Sequence, residues 1–158
     1  MTTATPYQEL GELYLETICQ NAYYEGAAGT IRDAVLGAAA VVIGKQVDPG
    51  DLIRAAQKLT LDAMGFLECT IGRVSTDWLR NRCDWARIDA FWDGTDRSDI
   101  AWVTEELDSQ ADRAWKTYYE HAVKPSGETF VRWHHDLALA ATFLQAAALL
   151  LKEVQGDA

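Results

Sequence analysis

The stretch LALAATFLQAAALLL, residues 137–151, decides how the chain is read. It is fifteen residues long, with Thr142 and Gln145 inside it. A helix that spans a bilayer needs about 20 apolar residues. This stretch is short for that purpose and reads as a helix buried in protein. A helix that is apolar nearly all round must be surrounded, so the rest of the chain is expected to supply amphipathic helices that cover it.

The rest of the chain fits that expectation. Period-two alternation is nearly absent, and the three prolines, Pro6, Pro49 and Pro125, fall where helix boundaries are expected. Six helices are predicted, over about 6–24, 30–43, 49–71, 76–93, 99–123 and 128–154. Thr5, Pro6 and Gln8 make a capping pattern for the first, whose apolar stripe is Tyr7, Leu10, Tyr14, Ile18 and Ala22. Asp48 and Pro49 start the third, with Leu52, Ala55, Ala56, Leu59, Ala63, Phe66 and Leu67 facing inward. The fifth carries Ile100, Val103, Leu107, Ala111, Ala114, Tyr118 and Ala122 at spacings of three and four. Ser98 is its expected cap, Gly94 the stop of the helix before it, and KPSG (124–127) a turn. The fold expected is all-α: one domain over residues 1–158, a compact bundle of five or six antiparallel helices. The 30–43 and 128–154 helices have the least polar surface and are expected to be the most buried.

The 76–93 segment contains a second pattern. Trp78, Trp85 and Trp92 stand seven apart, three of the six tryptophans in the chain. On one continuous helix they form a stripe. Leu79, Cys83, Ala86 and Ala90 form another, about 120° away at 100° per residue. Asp77, Arg80, Asp84 and Arg87 share a solvated side and can pair with one another. Three uncovered tryptophans would expose about 600 Å², at the limit for a monomer. The stripe therefore needs cover, from its own chain or from a partner. Trp85, in the middle, is expected to be the most buried of the three.

Charge and cysteine content narrow the functional classes. Fourteen basic against twenty-four acidic residues give a formal charge of −10. That opposes direct binding to nucleic acid or an anionic membrane, because phosphate contacts need a basic face. Residues 89–120 carry nine acids and three bases, while 73–87 is mildly basic. Such asymmetry suits a basic partner or head-to-tail pairing of subunits. Cys19, Cys69 and Cys83 are an odd set inside apolar patterns, so no disulfide framework is expected. MTTATPYQEL has neither a basic region nor an apolar run, so no signal peptide is expected, and a cytoplasmic or virion-associated location is.

Residue patterns that support catalysis or metal binding are sparse. His121, His134 and His135 lack ligand partners four residues away, and the adjacent His135 and Asp136 point about 100° apart on a helix. The cysteines have no zinc spacing. No nucleophile elbow occurs, and EGAAG (25–29) lacks the lysine of a phosphate loop. No catalytic residue, cofactor or metal ligand set is expected.

Glu9, Glu12 and Glu16, with Glu105 and Asp108 further on, resemble the magnesium-binding carboxylates of all-α nucleotide pyrophosphohydrolases. That resemblance implies an Mg²⁺-dependent hydrolase of nucleotides as the alternative function. The chain departs from the family pattern. Its second acidic pair lies more than ninety residues from the first, and no basic phosphate-gripping motif accompanies it.

The function expected from the residues is that of a non-catalytic interaction protein, self-associating or docking on a larger assembly. Accessory subunits, virion connectors or adaptors, and immunity or inhibitor proteins are of this general type. Trp78, Trp85, Trp92, Arg82, Glu105, Glu106 and Asp112 are the candidate contacts with a protein partner, one of basic character for the acidic residues. Ala34, Gly37, Ala38 and Val41 are the candidates for self-association into a homo-oligomer, because small residues permit close helix approach.

Overall fold

The computed structural model describes residues 28–45, 47–68, 70, 84–120 and 132–156. Among them are five α-helices and no strand: α1 (Ala28–Gly44), α2 (Pro49–Glu68), α3 (Trp85–Trp92), α4 (Ile100–Glu120) and α5 (Arg132–Gly156). A single 3-10 turn, Arg97–Asp99, precedes α4. The predicted 6–24 helix and the 124–127 turn lie outside the described residues.

Helix α5 is the centre. It packs on α2 and α4 about equally, and less on α1. From Asp136 to Leu151 every residue is buried except the half-buried Gln145 and Leu149. Two polar side chains inside this stretch have partners. The Thr142 hydroxyl donates to the Ala138 carbonyl at 2.8 Å, and the Gln145 side chain accepts from Trp115 Nε1 at 3.3 Å. A buried hydroxyl or amide without a partner would cost about 1–3 kcal/mol. By length and composition Asp136–Gly156 could cross a membrane, and 72% of its most apolar window is buried inside the protein.

Three bonds set the pairing of α4 with α5. Gln155 Nε2 donates to Thr104 Oγ1 at 2.8 Å, Lys152 meets Asp108 at 2.5 Å, and Trp115 meets Gln145. The residue number rises along α4 as it falls along α5, so the two helices are antiparallel. Val103, Leu107, Ala111 and Ala114 are buried at the seam, and Ile100 and Tyr118 are half-buried, as their spacing predicts. Thr104 and Gln110 are buried among them.

On α2 the whole predicted stripe is covered, with Phe66 half-buried and its ring edge-on to Phe143 at 5.3 Å. Pro49 occupies the first helical position, where a missing N–H costs nothing. The Asp48 carbonyl accepts from the N–H groups of Asp51 and Leu52.

Three expectations are corrected. Helix α1 does not share the centre with α5. It buries Val35, Ala39 and Val42 and leaves Gly37, Ala40 and Val41 exposed. A scarcity of charge shows only that neither face is strongly solvated, not that both are covered.

The helix expected over 76–93 is not continuous. Asp84, at φ −80° and ψ 80°, lies outside helical conformation, and its carboxylate accepts the Arg87 N–H at 3.1 Å. Asp84 is thus the N-cap of α3. Residues 76–83 lie outside the described residues.

Ser98 does not cap α4. Its hydroxyl donates to Asp96 Oδ1 at 2.5 Å, and the chain enters α4 through the 3-10 turn. Gly94 does stop α3, as expected. At φ +88° it adopts a backbone that only glycine enters readily. Its N–H donates to Phe91 O, and the Asp96 N–H reaches Ala90 O.

Candidate functional site

The tryptophan pattern resolves into a local core. Trp78 and Arg82 lie outside the described residues. Trp85 and Trp92 share α3, but Trp92 is the better covered at 7% exposure, while Trp85 is half-buried against the core. The expectation that Trp85 is the most deeply buried is therefore reversed for this pair. Ile88 and Phe91, which the heptad reading passed over, are fully buried. The Phe91 and Trp92 rings meet at 5.3 Å. The covered stripe of α3 is thus 85–88–91–92, at ordinary helical spacing. Of the small stripe expected about 120° away, the described members are not buried, Ala86 being exposed and Ala90 half-buried, while Leu79 and Cys83 lie outside the described residues.

A clip joins α3 to α4. Arg87 donates from Nε and Nη2 to the two oxygens of Asp99, at 2.5 and 2.7 Å. Its guanidinium also lies 3.9 Å from the centre of the Trp102 ring. Planar, two-toothed pairing with a carboxylate and stacking on an aromatic face are the two contacts that guanidinium makes best. The hydrogen bond from Arg87 holds the Asp99 carboxyl below its ordinary value. Asp93 is likewise lowered, by hydrogen bonds from Thr95. The ion pair expected between Asp84 and Arg87 does not form. Asp84 takes the backbone N–H of Arg87, whose side chain goes to Asp99.

The acidic stretch divides by role. Glu106 is half-buried and accepts from Gln110 Nε2 at 2.7 Å. Asp108 is held by Lys152 and Glu120 by Lys116 at 3.9 Å. Glu105 and Asp112 are exposed, with no ion pair or hydrogen bond among the described residues. Seven residues beyond Asp112 lies Tyr119, 62% exposed. Its ring stacks on Trp115 at 6.1 Å and stands edge-on to Tyr118 at 5.2 Å. Burial, with Tyr119 beside it, raises the Tyr118 hydroxyl above its ordinary value. Trp115 and Tyr119 fall outside the apolar stripe that the spacing predicts; the signal for them is the aromatic run WKTYY (115–119).

On α1 the self-association candidates Gly37 and Val41 are exposed, Val41 at 55%. Ala34 and Ala38 lie on the same helix, and their side chains are outside the description. A Cβ built on Gly37 would meet nothing within 4 Å. Ala40 is exposed beside Val41.

For the magnesium alternative, Glu9, Glu12 and Glu16 lie outside the described residues, Glu105 is exposed, and Asp108 is taken by Lys152. Among the described residues no three His, Cys, Asp or Glu side chains are grouped as a metal site requires. Compared with known protein families, with curated proteins and with solved structures, the chain matches none.

Proposed function

We propose that this protein is a non-catalytic interaction protein that associates with its own kind through the outward face of α1. One observation carries the reading. Helix α1 packs one side on α5 while Gly37, Ala40 and Val41 stay exposed on the other. A surface helix ordinarily turns charged and polar groups to solvent. Among its described side chains this one presents two small residues and a valine, with open space over Gly37. Small side chains let two helix backbones approach closely, and the exposed valine gains from leaving water. The formal charge of −10 favours protein partners of basic character over nucleic acid.

The test is sedimentation of the intact chain over a wide range of concentration. The wild type is expected to show a mass that rises with concentration. Val41→Arg should remain folded by circular dichroism and stay monomeric throughout. A wild type that is monomeric at every concentration would sink the self-association reading.

A further inference from the structure

We infer that the outward face of α4 is a docking surface for a basic helical segment of another protein, one whose cationic side chains repeat every seven residues. This surface is separate from α1, and the inference extends the interaction reading to a second partner.

Glu105, Asp112 and Tyr119 stand seven apart on one helix, so they lie nearly in line, about 10.5 Å from one to the next. All three are exposed. Most other described carboxylates between positions 84 and 120 are engaged inside the molecule: Asp84 as a cap, Asp99 with Arg87, Asp93 with Thr95, Asp96 with Ser98, Glu106 with Gln110, and Asp108 with Lys152. Glu105 and Asp112 have no such task and share one face.

Tyr119 adds a contact of a different kind. A single exposed tyrosine is ordinary. This ring is backed by Trp115 and braced by Tyr118, so it is held in place with much of its surface open. A fixed aromatic face attracts a cation through its quadrupole, and guanidinium most readily. The nearby Lys116 is already engaged by Glu120. Two carboxylates and one aromatic face in line thus offer three cation sites at the repeat of a facing helix. Phosphate-rich partners are repelled by the same charges, which leaves a basic protein segment as the occupant that fits.

The probe is a synthetic alanine-based helical peptide with arginine at every seventh position. Its control has the same composition with the arginines spread around the helix. Binding to the intact protein is followed by fluorescence anisotropy at low salt and again in ~0.5 M salt, where surface charge is largely screened. The in-line peptide should bind saturably, and salt should weaken it. The spread peptide should bind about tenfold more weakly. Glu105→Lys with Asp112→Lys should abolish binding, and Tyr119→Ala should weaken it several-fold.

Glu68→Lys with Asp89→Lys changes the net charge equally at two exposed positions off this face, and should leave affinity within about twofold. Three results would overturn the proposal: equal binding of the two peptides, equal loss in the off-face pair, or no binding at all. Val41→Arg, which tests self-association, should leave peptide affinity unchanged. Loss of affinity in that variant would remove the site from α4, whereas a wild type that is monomeric at every concentration and still binds the peptide would sink only the α1 reading.

Discussion

Helices α1 and α5 carry few charges along their apolar stretches, yet they meet their surroundings in opposite ways. Helix α5 is covered on every side from Asp136 to Leu151 apart from two half-buried positions, whereas α1 is covered on one. The difference lies in where the bulk sits. At 100° per residue, the large buried residues of α5 fall into two groups, Leu137, Leu144 and Leu151 on one side and Leu139, Phe143 and Leu150 on another. Alanines fill the angles between them, so neighbouring helices can approach. On α1 the large residues Val35, Leu36, Val42 and Ile43 gather on one side. Gly37, Ala40 and Gly44 take the other, with Val41 at its margin. Only bulk distributed around the axis gives several neighbours something to pack against. Lack of charge by itself does not distinguish the two cases.

The largest test of this contrast introduces a charge on each helix. Leu144→Asp places a carboxylate at a fully buried position within the apolar core. Burying an unpaired charge costs several kcal/mol or more, comparable to the roughly 5–15 kcal/mol that holds a domain together. The variant is expected to be unfolded by circular dichroism. Val41→Asp, at an exposed position, should stay folded, with a stability change within about 0.5 kcal/mol for the monomer. Similar unfolding in both would show that α1 is covered after all.

Next comes the pair of tryptophans on α3. Trp92→Ala removes a buried ring that touches Phe91 and should cost about 3–5 kcal/mol in denaturant melts. Trp85→Ala, at a half-buried position, should cost less. An inverted order would restore the heptad reading, in which the middle tryptophan is the anchor.

A smaller effect is expected from acid. Asp99 and Asp93 have folded values below their ordinary ones, through Arg87 and Thr95 respectively. A lowered carboxylate stabilises the fold above its unfolded value, near pH ~3.9, and that contribution is lost as pH falls through the lower, folded value. Thermal stability should therefore decline below about pH 4. Asp99→Asn, which cannot titrate, should start less stable at neutral pH and decline less steeply. Parallel profiles for the two proteins would mean the clip does not couple to folding.

These contrasts also show what was legible beforehand. The stripes of α2 and α4 could be read residue by residue, because three-and-four spacing with few competing charges leaves one way to bury them. The start of α3 could not. Asp84 lies three residues from Arg87, and that spacing serves a side-chain ion pair or a cap equally well; the choice depends on Asp99, twelve positions further on. The tryptophan repeat misled because it presumed an unbroken helix from 78 to 92. Once Asp84 caps the helix, the shorter repeat Trp85, Ile88 and Trp92 governs. The line of Glu105, Asp112 and Tyr119 was visible in spacing, but which acids had no internal partner was not. That answer needed α5 placed beside α4.

The smallest effect is the most discriminating for α1. Gly37 and Gly65 both sit within helices, and a Cβ at either would meet nothing within 4 Å. Glycine in a helix interior is less favourable than alanine by about 0.5–1 kcal/mol, because its unfolded chain has more freedom to lose. Gly65→Ala should therefore stabilise the protein by about that amount, and so should Gly37→Ala for the monomer. The two should part company when the protein associates. A methyl at position 37 would hold an opposing helix further off, so Gly37→Ala should raise the monomer's melting point while weakening self-association by sedimentation. Gly65→Ala should do only the first. If both variants gain stability and associate as the wild type does, the outward face of α1 is a bare surface and Gly37 has no partner to meet.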